Sequence, residues 1–159
     1  MLKEGNPVEE LNDDAVELIR SDHQRVEGLF RRFETAAGEE RQEIADDILS
    51  ELTAHAEAEE RAFYPEVAAA SGEMEELIGR SREEHAEMKN MVGAIRAMNF
   101  GEGYVERMRV LERIVMDHVE EEESTVLPEA EKMPEDKLNA IAREMLKIKM
   151  PILGKEKIG

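Results

Sequence analysis

The chain of 159 residues has no cysteine and no tryptophan, only two tyrosines and four phenylalanines, and no apolar run approaching membrane-spanning length. Each lack excludes something. Without thiols there are no disulfides and no thiolate metal sites, so a bound metal must be held by imidazole, carboxylate, carbonyl or water. An aromatic content of 4%, beside abundant Glu, Ala, Leu, Met and Arg, leaves little material for a β-sheet core and predicts an all-α protein. The opening Met1-Leu2-Lys3-Glu4-Gly5-Asn6-Pro7 has no signal-peptide core, so a soluble, cytoplasmic protein without a membrane partner is expected. Basic residues are also scarce, 21 against 39 acidic, and the net charge of -18 repels phosphate backbones while attracting cations. No nucleic-acid partner is expected. Solubility is the simplest account of so acidic a surface.

What is present is punctuated helix. The length suits one domain. We read residues 1–12 as an N-terminal arm, 13–133 as a four-helix bundle and 134–159 as a C-terminal helix and tail. The first helix should start near Asn12 to Asp14, with Asp14 and Glu17 forming a capping box, and end near Gly38. The second spans about 39–70; Ser71-Gly72 leads to a third reaching Asn99, and Gly101-Glu102-Gly103 turns into a fourth reaching Met133. Connections this short imply antiparallel neighbours in up-down-up-down order. Pro134 opens a short fifth helix that should dock through Leu138, Ile141, Met145 and Ile148 and stop before Pro151 and Gly154.

Each long helix carries an inward seam at alternating spacings of three and four. The seams read Ile19, His23, Val26, Phe30, Phe33; Ile44, Ile48, Leu52, His55, Glu59, Ala62; Met74, Ile78, Ser81, His85, Met88, Val92, Ile95; and Met108, Leu111, Val115, His118, Glu122, Thr125. All four histidines of the chain therefore fall on seams, with two glutamates beside them. The second and fourth helices repeat one pattern, His55-x-x-x-Glu59 and His118-x-x-x-Glu122, each with a proline ten residues after the histidine, Pro65 and Pro128. The lone histidines His23 and His85 precede their partners by 32 and 33 residues, so the chain reads as two hairpins of one design related by an approximate twofold axis. The prolines should bend or loosen their helices by freeing the carbonyls of Arg61 and Ser124.

A spacing of four puts histidine and glutamate on one helix face, one turn apart. One seam histidine alone is better explained as a hydrogen-bonded core residue. Four imidazoles and two carboxylates in one apolar core would each need a partner, whereas two cations would satisfy all six. Hairpin connectivity suggests His23 and His55 on one metal and His85 and His118 on the other, spanned by Glu59 and Glu122. Two other metal motifs are absent. Glu-x-x-His fails because Arg20, Leu52, Arg82 and Val115 stand three before the histidines; H-E-x-x-H fails because Gln24, Ala56, Ala86 and Val119 follow them.

In helix count, histidine order and the paired H-x-x-x-E, residues 13–130 resemble the hemerythrin-like proteins with HHE cation-binding domains. The resemblance implies two non-haem iron ions, with manganese or zinc as lesser alternatives, joined by a bridging oxo or hydroxo group and held by His23, His55, Glu59, His85, His118 and Glu122. The chain departs from the oxygen carriers of that family at Lys89, where they have a second histidine one turn after His85, and in the fourth-helix carboxylate, which they supply as Asp one residue farther on. Reversible oxygen carriage is thereby disfavoured. Glu84 or Glu121 could take up a vacant position, and Tyr64 or Lys89 could donate to a ligand if they turned inward, although ordinary surface roles are the simpler expectation. Leu52, Phe63, Met88 and Val115 could line an apolar approach.

The leading expectation is a di-iron protein that binds or senses a small oxidant ligand such as O2, NO or peroxide. The alternatives are an oxidoreductase detoxifying peroxide or NO, and an iron-handling or interaction module. Residues 137–159 carry six Lys or Arg against two Glu. That reversal of charge could serve a protein partner or homodimer through the last helix, or simply complement an acidic bundle.

Overall fold

The computed structural model of the chain describes residues 14–158; the predicted N-terminal arm lies outside the described residues. Helix α1 (Ala15–Thr35) begins at the expected capping box: the Asp14 carboxylate accepts from the Glu17 backbone N–H at 2.8 Å, and Glu17 accepts from the Asp14 N–H at 3.2 Å. A two-residue turn leads to α2 (Gly38–Ala58), whose first residue has φ +59°, a conformation in which a side chain would be strained. The same rod continues through a π-helical turn (Glu59–Phe63) into α3 (Tyr64–Ala70). After a 3₁₀ turn at Gly72–Met74 come α4 (Glu75–Arg96) and α5 (Glu102–Glu121). A second π turn (Glu122–Val126) joins α5 to α6 (Leu127–Ala130), and α7 (Glu135–Ile158) ends the chain. The four rods form the predicted helical bundle, and α7 packs against α1 and α2. Among the described residues, no helix is long and apolar enough to cross a membrane.

The two π turns are where the prolines act. Tyr64 and Leu127 donate to the carbonyls of Glu59 and Glu122, five residues back, so each turn holds one residue more than an α turn. In that register Pro65 faces the Glu60 carbonyl, and the Arg82 guanidinium donates there instead at 3.4 Å. The extra residue also rotates the seam. Thr125, expected inside, is exposed and bonds back to the Glu121 carbonyl at 2.5 Å, while Val126 takes the buried place.

The fifth helix is longer than its proline suggested, since α7 runs for 24 residues through Pro151. The ring removes the donor for the Lys147 carbonyl, but both residues are exposed and water can serve that acceptor. Its inward face comprises Leu138, Ile141, Ala142, Met145 and Leu146, with Ile148 partly buried, and then Lys149 at 3% exposure.

The apolar interior is two cores rather than one. The first gathers Ala15 to Ile19, Phe63, Tyr64, Val126, Leu127 and the face of α7. The second gathers Val26, Phe30 and Phe33 of α1, Ile44, Ile48 and Leu52 of α2, Met88, Val92 and Ile95 of α4, and Met108, Leu111 and Val115 of α5. His23, His55, Glu59, His85, His118 and Glu122 occupy the layer between, all buried. Each seam thus passes from apolar to polar and back to apolar.

Candidate metal centre

A carboxylate only accepts hydrogen bonds, so a carboxylate at one imidazole nitrogen fixes the proton there and leaves a lone pair on the other. All four histidines are held this way. His55 Nδ1 lies 2.8 Å from Asp22, His118 Nδ1 2.5 Å from Glu84, His85 Nδ1 2.8 Å from Glu60 and His23 Nδ1 2.7 Å from Glu123. Every Nε2 consequently points inward. His23 Nε2 is 3.1 Å from Glu122 Oε1, His55 Nε2 3.3 Å from Glu59 Oε2, His85 Nε2 3.1 Å from Glu59 Oε1 and His118 Nε2 3.8 Å from Glu122 Oε2.

The four anchors obey the twofold repeat, and the sequence carried a signal for them. An acid directly precedes each lone histidine, Asp22 before His23 and Glu84 before His85, and holds the other histidine of its own hairpin. Another acid directly follows each seam glutamate, Glu60 after Glu59 and Glu123 after Glu122, and holds the lone histidine of the opposite hairpin. The repeated unit is therefore H-x-x-x-E-E rather than H-x-x-x-E. Helical geometry explains the division of labour, because neighbouring residues point about 100° apart and only one of each pair can face the centre.

Tyr64 breaks the repeat, since Leu127 occupies the matching position before Pro128. The tyrosine is fully buried and its hydroxyl lies 3.0 Å from Glu59 Oε1, 2.6 Å from Glu122 Oε2 and 3.3 Å from His85 Nε2. It reaches the centre, against the simpler expectation. Glu84 is an anchor, not a candidate ligand; Glu121 pairs with Arg80 at 2.7 Å; and Lys89 pairs with Glu57 and Glu60 at 3.1 and 2.8 Å, outside the imidazole layer.

Burial by itself would discharge these groups, and their mutual contacts outweigh it. His85 would fall on burial, but hydrogen bonds to Glu59 and Glu60 push it up to about 9. His55 is raised well above, and His23 above, the ordinary imidazole value for the same reason, the dominant partners being Glu59 with Asp22 and Glu122 respectively. Glu59 is held well below the carboxylate range, against its burial, by the charge and close contact of His55 and by His85. Burial and the charges of Glu122 and Glu59 drive Tyr64 well above its usual value, so the phenol keeps its proton.

Protein contacts leave part of this centre unsatisfied. Among the described residues four buried atoms make no well-formed hydrogen bond: His23 Nε2 and Glu122 Oε1, which face each other at 3.1 Å, and His55 Nε2 and Glu59 Oε2, at 3.3 Å. The same four residues offer ligand atoms all within 4.8 Å of one another, and Glu59, His85 and His118 form a second such group. A polar atom left without a good hydrogen bond in an apolar interior is costly, and a cation, by displacing the ring protons, would satisfy each of them. The donor set, imidazole nitrogen with carboxylate oxygen, fits a transition metal in two positions sharing Glu59. Beside the imidazoles lies a cavity of about 20 Å³ walled by Val26, Leu52, Met88, Val115 and Val119, room for about one water-sized molecule. Leu52, Met88 and Val115 line it as expected; Phe63 lies in the other core.

Residues 14–130 match the family model of the hemerythrin HHE cation-binding domain. The chain belongs to this family. It is 39% identical over 114 residues to a DNA nickase from Nostoc sp. (strain PCC 7120), a stretch covering 69% of this chain and 31% of the nickase, so the chain spans under a third of that relative. It also superposes on the crystal structure of a hemerythrin HHE cation-binding domain-containing protein from Mycobacterium kansasii with a TM-score of 0.76, at 24% identity, covering 90% of this chain and 89% of that one. That likeness is one of fold. Family membership and the buried His/Glu cluster together make this HHE domain a metal-binding helical bundle.

Proposed function

We propose that this HHE domain holds two iron ions and uses them to bind or sense a small oxidant ligand, O2, NO or peroxide. The observation that carries the reading is the set of four inward atoms without a well-formed hydrogen bond, on side chains whose outer atoms are already anchored. His23 and His55 would hold one ion and His85 and His118 the other, with Glu59 and Glu122 between them. Bound iron supplies the redox and Lewis-acid chemistry. The protein's part is preorganisation: Asp22, Glu60, Glu84 and Glu123 fix the imidazole planes and their basicity, and the Val26, Leu52, Met88, Val115 and Val119 wall keeps bulk water out. A cavity of about 20 Å³ matches a ligand the size of one water or a diatomic molecule.

One observation favours turnover as the second reading. Tyr64 keeps a buried phenolic proton within reach of both glutamates, where it can donate to a ligand entering the centre. Peroxide or NO detoxification would use that proton, whereas simple binding would not require it. DNA stays outside the proposal, because a net charge of -18 opposes a phosphate backbone and the nickase shares under a third of its length with this chain.

Metal analysis of protein purified without added metal, followed by visible spectra of the reduced protein mixed with O2, NO or peroxide, tests both readings. About two irons per chain and a persistent spectral change support binding or sensing. Rapid bleaching with continued consumption of peroxide or NO supports the enzyme. One zinc per chain and a silent spectrum would sink both.

A further inference from the structure

Lys149 is 3% exposed and stands on the apolar face of α7, one turn beyond Met145. Its ammonium donates to both oxygens of Asp22 at 2.7 Å, and Asp22 Oδ2 in turn lies 2.8 Å from His55 Nδ1. Arg25 also reaches Asp22, at 3.2 Å, from the half-exposed side. A continuous polar path thus runs from the last helix to the inward His55 Nε2. Burying such a pair brings a desolvation penalty that an apolar residue at 149 would avoid, so packing alone does not explain the lysine. The other hairpin makes the point internally. There Glu84 anchors His118 from a side chain that is 32% exposed, with no buried cation behind it. Anchoring an imidazole therefore does not require a buried lysine; connecting the anchor to α7 does.

We propose that Lys149 is a positioning residue for the His23–His55 metal position, and that through Asp22 it couples the seating of α7 to occupancy of that position. This rests on the metal reading above. Lys149 fixes the Asp22 carboxylate in plane through both oxygens, Asp22 holds His55 at Nδ1, and Nε2 stays aimed at the centre. Because coupling is reciprocal, metal at that position tightens α7 as much as α7 tightens the metal. The His85–His118 position, whose anchors are Glu60 and Glu84, lies outside this path.

The test uses the full chain titrated anaerobically with ferrous iron against a chromogenic chelator, with amide hydrogen exchange of residues 138–150 followed with and without iron. Lys149→Met should weaken one of the two iron positions 10–100-fold, the usual effect of losing an outer partner of a ligand, and leave the other unchanged. Iron should slow exchange in α7 of the parent chain and not of the variant. Asp22→Asn combined with Lys149→Met removes both charges, so a folding defect from a lone buried carboxylate is avoided, and the same single position should still be weakened. Glu84→Gln should weaken the other position without altering exchange in α7. A parent chain that binds no iron overturns the metal reading itself. Two iron positions that are indifferent to both Lys149 variants, or an α7 whose exchange ignores iron, overturn the coupling while leaving that reading intact.

Discussion

The two hairpins carry the same ligand pattern, yet the layers outside it differ. On the His23–His55 side Glu123, the anchor of His23, is 37% exposed, but Asp22, the anchor of His55, is 2% exposed, is paired with a buried lysine and is covered by α7. On the His85–His118 side the anchors Glu60 and Glu84 are 20% and 32% exposed and share their surroundings with surface ion pairs. Burial would raise Asp22, but His55 and Lys149 hold it down at about 2. Duplication explains the inner shell, where both halves must present the same atoms. It does not constrain the outer shell, where each half met a different neighbour, α7 or solvent.

The largest expected effect falls on what the halves share. Glu59 faces both groups of ligand atoms, so if the domain holds two irons as proposed, Glu59→Ala should reduce them to almost none and abolish the stabilisation that metal gives. Elemental analysis with thermal melts checks this; retention of two irons would mean that Glu59 bridges nothing. Next, His23→Ala and His85→Ala should each remove about one iron, because each belongs to only one group. If both variants lose both ions equally, the halves are one cooperative site and the comparison collapses.

Protons give a third handle. In metal-free protein His85 is raised from 6.5 to about 9, so its stabilising contribution is complete below pH 6.5 and disappears as pH rises through about 9. Melts of chelator-treated protein should therefore fall across that window, and iron uptake near neutrality should release protons to an indicator dye, since metal requires the neutral ring. Asp22 runs the other way: its contribution is present above 3.8 and is lost as pH falls through about 2. An apo-protein that gained stability from pH 6.5 to 9 would contradict the cluster as described.

Smaller effects probe the one asymmetric group inside and one outside. Tyr64→Phe should retain both irons and cost about 1 kcal/mol in stability, a hydrogen bond's worth, while slowing any peroxide or NO turnover more than ligand binding. Equal loss of both would make Tyr64 merely structural. Lys89→Ala, which removes partly buried pairs to Glu57 and to the His85 anchor Glu60, should change stability by about 1 kcal/mol or less and weaken metal binding less than Lys149→Met, as chelator titration of the variant would show.

Much of this was legible in the letters because bundle seams and caps are local. The capping box at Asp14 and the inward places of all four histidines follow from periodicity alone. The anchors were legible too, as acids beside the histidines and glutamates, but a charged residue next to a ligand reads equally well as solvated surface. Tyr64 was legible only as one candidate donor with a surface role the simpler expectation, and Lys149 was not legible, since a lysine near the end of a basic segment usually faces water. The π turns escaped for a different reason. An added residue shifts the seam by one position, and only the register of the whole rod reveals that Val126, not Thr125, turns inward.

The division of the interior into two apolar cores has a mechanical meaning. The polar layer between them is the plane along which the bundle is least held by apolar contact, and without cations it contains the atoms that lack well-formed hydrogen bonds. A cation held there would supply, at the waist between the two cores, the cohesion that apolar packing does not.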